Sequence, residues 1–132
     1  MARLEALHSE AAYHRVIDDN GTIAGFLLAF RDVSHYDSSN YVWFKQHYDQ
    51  FLYIDRVVVS RRCQGQGIGK KLYDDLFEFA KNCGVTRITC EFDIDPPNLA
   101  SQRFHESIGF SEVGKRSYGE ITKQVSMQMI GI

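Results

Sequence analysis

The chain has 132 residues, enough for one domain around a single core and too few for two. Its hydrophobic content of 44%, with 13% aromatics, belongs to a packed globular protein rather than a disordered one. A formal net charge of −2 argues against a nucleic-acid binder that works by neutralising many phosphates. Cys63, Cys83 and Cys90 form no Cys-x-x-Cys pair, so neither a zinc site nor a disulfide framework is suggested and no metal is expected. Cys83 and Cys90 fall on apolar positions and are expected in the core. The opening Met-Ala-Arg-Leu-Glu lacks the apolar region of a signal peptide, and no apolar run reaches membrane-spanning length. A soluble, cytoplasmic protein without a membrane partner is expected.

From Arg3 to about Tyr13, Leu4, Leu7 and Ala11 recur at spacings of three and four, which predicts a short amphipathic helix. His14 to Ile17 reads as a strand, Asp18-Asp19-Asn20-Gly21 as a turn with Asn-Gly at its tip, and Ile23 to Phe30 as the returning strand. Asp32 to Gln50 shows no periodicity and is expected to be a long loop. Its alternating aromatic and hydrogen-bonding side chains suit either a wall over a small polar substrate or a surface loop anchored by Trp43 and Phe44. His35 is a candidate lining residue of such a wall.

Phe51 to Val59 reads as the central strand, with Asp55 between Tyr53 and Val57 on one face and Arg56 on the other. A carboxylate among such neighbours is costly unless paired or used; Arg31 and Arg56 are the candidate partners. A helix follows from Gly69 to Cys83, with Leu72, Leu76 and Ala80 as its buried stripe and Gly84 as its terminator. Thr86 to Phe92 alternates, Ile88, Cys90 and Phe92 on one face and Arg87, Thr89 and Glu91 on the other. Asp93-Ile94-Asp95-Pro96-Pro97 breaks the strand, and Asn98 caps a second helix whose buried stripe is Ala100, Phe104 and Ile108, ended by Gly109. Ser111 to Lys115 and Lys123 to Ile130 close the chain as strands. The whole is a single α/β domain, residues 1–132, with a mixed sheet.

The stretch between the central strand and its helix carries the strongest signal. Gly65, Gly67 and Gly69 alternate there, removing Cβ atoms that would keep a ligand from the backbone. The helix aims its free N–H groups and positive dipole end back at that loop, which makes an anion site suited to phosphate. Arg61, Arg62, Lys70 and Lys71 add local positive charge. A P-loop is excluded, since Gln64 and Lys71 occupy the positions of its first Gly and its hydroxyl. A dinucleotide Gly-x-Gly-x-x-Gly is excluded as well, because Lys70 and Leu72 stand where the third Gly belongs. A glycine-rich turn without a ligand is the plainer alternative, although such a turn needs only one glycine.

What fits is Gln64-x-x-Gly67-x-Gly69, which resembles the Gln/Arg-x-x-Gly-x-Gly/Ala coenzyme A loop of the GNAT N-acetyltransferase superfamily. Further on, Asn98, Ser101, Phe104, Gly109 and Phe110 resemble the Asn-x-x-Ala-x-x-Phe-Tyr-x-x-x-Gly-Phe segment that follows this loop in the same family. The resemblance implies a mostly antiparallel central sheet flanked by helices, here lacking the first strand and helix of the usual fold. It also implies an acetyl-CoA-dependent acetyltransferase acting on a primary amine of a small molecule or peptide by direct attack. Val57, Val58 and Val59 would pair with the pantetheine arm; Gln64, Gly65, Gln66, Gly67, Ile68, Gly69 and Lys70 would hold the pyrophosphate. Asn98, Ser101 and Phe104 would contact the lower arm.

The attacking amine must be neutral, so a base is needed, and the departing thiolate gains from an acid. His105 stands where the family commonly places a tyrosine and would serve as acid or base. Asp55 ranks above Glu91 as the base on the strand beside the coenzyme arm. A shortened sheet would leave an edge for a homodimer to cover. Competing expectations are a non-catalytic acyl-CoA-binding or sensor protein of the same fold, and a phosphate- or nucleotide-binding module.

Overall fold

The computed structural model describes residues 12–95, 97–118 and 123–132. Strands β1 (Tyr13–Asp19) and β2 (Thr22–Arg31) form the expected hairpin. Asn20 and Gly21 close it with φ of 53° and 84°, the left-handed geometry that two-residue turns of this kind require. Tyr13 is already strand, not the last residue of a helix; residues 3–11 of that expected helix lie outside the described residues.

The sheet has the order β1-β2-β3-β4-β6-β5, with β3 (Phe51–Val59), β4 (Arg87–Asp95), β5 (Ser111–Tyr118) and β6 (Lys123–Gly131). Every neighbouring pair is antiparallel except β3 and β4. Between these two runs the crossover helix α2 (Ile68–Asn82), and α3 (Leu99–Ile108) links β4 to β5. Both pack on one face, where Leu72, Leu76 and Ala80 of α2 meet Leu27, Leu52, Ile54 and Ile88 of the sheet.

The opposite face corrects the sequence reading. Residues 39–47, expected to be loop, are helix α1 (Ser39–His47), whose Tyr41 and Phe44 pack on Phe30, Phe51, Tyr53 and Met127. Val42 and Trp43 are half-buried too, so apolar residues spread around the helix and no single stripe shows. Its Trp43 indole lies against β5 at Gly114, where a Cβ would stand 2.7 Å from the ring.

A second correction concerns β3. Its pairing with β2 runs from Gly25↔Val59 to Leu28↔Arg56 and resumes at Ala29↔Ile54, so Asp55 is an extra, bulged residue. Beyond the bulge the alternation is reset. Tyr53 packs on the α1 side while Val57 joins Leu52 and Ile54 on the α2 side, instead of sharing a face with Tyr53. The bulge also accompanies a divergence: β3 pairs with β4 only from Phe51–Tyr53 to Arg87–Thr89. Past Tyr53 the two strands part.

Two burial expectations also change. In α3 the buried residue is His105, while Ala100 is exposed and Phe104 and Ile108 are half-buried. Cys90 is in the core as expected, but Cys83 is exposed because it is the C-cap of α2, one position past the last helical residue.

Candidate functional site

The N-terminus of α2 is built for close approach. Gly67 is its N-cap with φ 76°, and the first intrahelical bond runs from Lys71 N–H to Gly67 O at 3.0 Å. The N–H groups of Ile68, Gly69 and Lys70 therefore have no helical acceptor. Gly65 is also left-handed, φ 82°, and a Cβ at Gly65 or Gly67 would enter open space. That space is a cavity of about 590 Å³ lined by Val57, Val59, Gln64, Gly67, Phe104 and His105, among others. At Gly69 a Cβ would meet the Phe104 ring at 3.5 Å, an ordinary contact. Gly25, which the sequence reading passed over, admits Ile68 and the Val58 carbonyl to 2.9 and 2.8 Å of its would-be Cβ and so seats the helix start.

The cavity continues into the gap between β3 and β4. This groove, about 230 Å³, is lined by Asp55, Arg56 and Val57 on one side and Cys90 and Glu91 on the other, and it shares Val57, Ser101 and His105 with the larger cavity. Each carboxylate has a tyrosine: Tyr36 Oη donates to Asp55 Oδ1 and Tyr53 Oη to Glu91 Oε1, both at 2.6 Å. Burial raises the Glu91 pKa to about 7; the Tyr53 and Asn40 hydrogen bonds pull it down, and Asp55 and Asp93 push it up. Burial, then the neighbouring carboxylates, raises the Tyr36 and Tyr53 hydroxyls, which stay protonated. Asp55 pairs with Tyr36 rather than with Arg31, which bonds Asp32, or with Arg56.

His105 has both ring nitrogens engaged. Nδ1 lies 2.7 Å from the Ser101 carbonyl, which can only accept, so Nδ1 carries the proton. Nε2 then accepts from Tyr73 Oη at 2.7 Å. Burial lowers the His105 pKa and raises that of Tyr73, so the pair is neutral.

Of the sequence-derived candidates, Val57, Val59, Gln64, Gly65, Gly67, Ile68, Gly69 and Lys70 meet Asn98, Ser101, Phe104 and His105 around the one cavity. Gln66 and Val58 are exposed and are not among its lining residues; the Gln66 amide reaches the Arg62 carbonyl. Asn98 spends its side chain as the α3 cap, accepting from Ser101 N–H at 3.1 Å. Of the basic cluster, Lys70 pairs with Asp74 and Arg62 with Asp19. Tyr36, Tyr53 and Tyr73 were not singled out, because nothing in the sequence marks their hydroxyls as facing a carboxylate or an imidazole. Among the described residues no group of three or more His, Cys, Asp or Glu converges to hold a metal.

The site is thus a gap between β3 and β4, beside a strand bulge, that runs up to a glycine-rich helix start on the sheet of an α/β fold. Residues 2–110 match the acetyltransferase (GNAT) family model, and the chain belongs to that family. It is 31% identical, over 96 residues, to L-methionine sulfoximine/L-methionine sulfone acetyltransferase of Salmonella typhimurium, a match covering 73% of this chain. The chain spans about half, 48%, of that relative's length. The fold is shared with Ard1 from Thermoplasma volcanium, at a TM-score of 0.77 and 17% identity over 99% of this chain and 78% of that one. A Bacillus anthracis acetyltransferase structure in complex with acetyl coenzyme A superposes with a TM-score of 0.70 and 18% identity, covering 90% and 62% of the two chains. No helix among the described residues is long and apolar enough to cross a membrane.

Proposed function

We propose that the chain transfers the acetyl group of acetyl-CoA to a primary amine of a small molecule or peptide by direct attack. The observation that carries this reading is one continuous space, with free helix N–H groups at one end and a carboxylate of pKa about 7 at the other. The backbone N–H groups of Ile68, Gly69 and Lys70, which the helix leaves free, hold the pyrophosphate. The edge of β3 from Asp55 to Val59, which β4 leaves unpaired, offers strand-like hydrogen bonds to the pantetheine amides. Acetyl-CoA supplies an activated thioester.

Glu91 is the better base on this geometry, ahead of Asp55. Burial brings its pKa to where a base works at neutral pH. Glu91 accepts the amine proton as the N–C bond replaces the C–S bond, and the proton returns through groove water to the departing thiolate. His105, with both nitrogens committed, positions Tyr73 and the groove wall rather than moving a proton. The methionine sulfone and sulfoximine acceptors of the Salmonella relative are the first to try, since Asp55, Glu91 and Arg56 at one groove offer partners for both ends of an amino acid.

The experiment is a product assay by mass spectrometry with acetyl-CoA and a panel of amino acids, their sulfone and sulfoximine analogues, polyamines and peptides. An acetylated product is expected, with kcat/KM down about a hundredfold or more in Glu91→Gln. Stabilisation by acetyl-CoA but no product across the panel would favour the acyl-CoA-binding alternative; stabilisation by ATP alone would sink both. Homodimerisation in a cytoplasmic setting belongs to the same proposal. β1 and β5 are the edge strands among the described residues, and sedimentation as a 15.2 kDa monomer at micromolar concentration would contradict it.

A further inference from the structure

Strand β6 is buried on both faces, and one of those faces is polar. Val125 and Met127 belong to the core beneath α1. The alternate residues are Ser126, 1% exposed, and Gln128, 3% exposed, at positions so buried that apolar side chains are the rule. Both line a cavity of about 180 Å³, with Phe92 and Phe110 as apolar walls and Gln102 and Glu106 of α3 and Glu112 of β5 as polar ones. The cavity shares no lining residue with the coenzyme cavity or the groove, which take Ser101 and His105 from α3 instead.

A chain of hydrogen bonds fixes what Gln128 presents. The Ser126 hydroxyl gives its one proton to Glu112 Oε2 at 2.6 Å. It can therefore only accept from Gln128, whose Nε2 stands 2.6 Å away. The amide is set with Oε1 turned from Ser126, and among the described residues no hydrogen bond reaches that oxygen. A carbonyl oxygen left unmet on so buried a side chain is costly without a ligand. Glu112 Oε1 has Lys115 Nζ at 3.9 Å, beyond hydrogen-bond reach. Glu106 takes Gln102 Nε2 on its Oε1 at 3.1 Å, which leaves Oε2.

We propose that this cavity is a binding site for a primary alkylammonium cation, separate from the groove in which acetyl transfer is placed. An ammonium group has three donors and no acceptor, which matches Gln128 Oε1 and the two carboxylates. A short alkyl chain lies against the buried rings of Phe92 and Phe110. The buried oxygen of Gln128 carries the assignment; the carboxylates supply the charge. A metal ion is the poorer match, because among the described residues no group of three or more His, Cys, Asp or Glu converges to hold one. The site goes beyond the acetyltransferase reading and does not depend on it.

The test is a titration of the ¹⁵N-labelled protein with n-butylammonium chloride at constant ionic strength. NMR reads the Gln128 side-chain amide, assigned by its loss in Gln128→Leu, and the backbone amides of Phe92 and Ser126. Saturable shifts with a Kd of about 1 mM are expected. Butanol has the chain without the charge, and tetramethylammonium the charge without N–H donors; each should bind at least about tenfold more weakly. Glu112→Gln should weaken butylammonium about tenfold or more, and its side chain, 42% exposed, leaves the fold undisturbed. Gln128→Leu should abolish the Phe92 and Ser126 shifts; if that variant fails to fold, Glu112→Gln decides. Glu91→Gln alters only the groove and should leave the titration as in the wild type, so failure here and failure of the catalytic reading are distinguishable. Unsaturable drift, equal shifts with butanol, or a Kd unchanged in Glu112→Gln overturns the assignment and leaves the cavity to water.

Discussion

Half-buried Glu91 and buried His105 line the same groove and respond to pH in opposite senses. The folded-state pKa of Glu91, about 7, lies above its ordinary value of 4.5, so its contribution to stability is full below 4.5 and is lost as pH rises through 7. The loss amounts to at most about 3 kcal/mol, less the screening by groove water on its exposed part. The wild type should therefore lose stability relative to Glu91→Gln between pH 4.5 and 7, read as diverging denaturant midpoints. A constant difference across that range would show that the carboxyl is not desolvated. His105 behaves the other way. Its folded pKa is depressed below 6.5, so its contribution is complete above 6.5 and falls away as the solution is acidified. His105→Ala should unfold more easily, by about 1–3 kcal/mol, because the buried Tyr73 hydroxyl loses its acceptor. Retained stability with loss of turnover alone would return His105 to proton transfer. At Gly67, alanine adds a Cβ to a residue with φ 76°, a strain of about 1–2 kcal/mol, and asparagine, which tolerates that conformation, should cost less. Both place atoms in the open space before the loop, so both should abolish the thermal shift produced by acetyl-CoA. A full shift in either would detach the loop from the coenzyme.

At the level of elements, the hairpin, β3, α2 and both glycine terminators were legible because each rests on local chemistry. Asn20-Gly21 makes a two-residue turn by itself, and Leu72, Leu76 and Ala80 mark one helix face. Helix α1 was not legible, since Tyr41, Val42, Trp43 and Phe44 are consecutive and are sorted only by a sheet face that other strands build. The bulge at Asp55 was invisible for a related reason: strict alternation is assumed until a partner strand shows an unmatched residue. The glycine-rich turn into α2 was readable from glycine spacing alone. The Glu91 surroundings were not, because Tyr53 reaches it from β3 and Asp55 faces the same groove only once the sheet is assembled. Gly114 tests how α1 is seated. A methyl there would stand 2.7 Å from the Trp43 ring, so Gly114→Ala should displace the indole and lower stability by about 1–3 kcal/mol. Trp43 fluorescence should shift with it. An unchanged spectrum and midpoint would mean that the helix adjusts freely on the sheet.

On the scale of the whole molecule, the sheet consists of two antiparallel triplets, β1-β2-β3 and β4-β6-β5, joined by the short parallel register of Phe51–Tyr53 with Arg87–Thr89. The crossover helix α2 packs against the first triplet, and α3 sits with the second. Binding of acetyl-CoA in the gap should protect amides on both triplets from hydrogen exchange, including Cys90 to Phe92 on β4, and not only those of the loop. Protection confined to the loop would place the ligand outside the groove. The same short seam has a further consequence. The Gly84 turn, which passes between the triplets, is a natural point of scission: a chain cut there yields two pieces, each with a hairpin, the first carrying α1 and α2 and the second α3. Such fragments should reassociate weakly alone and firmly with coenzyme present, since a molecule spanning the seam contributes its binding energy to their reunion. This protein would then serve as a split reporter, its reconstitution reading out the concentration of acyl-coenzyme.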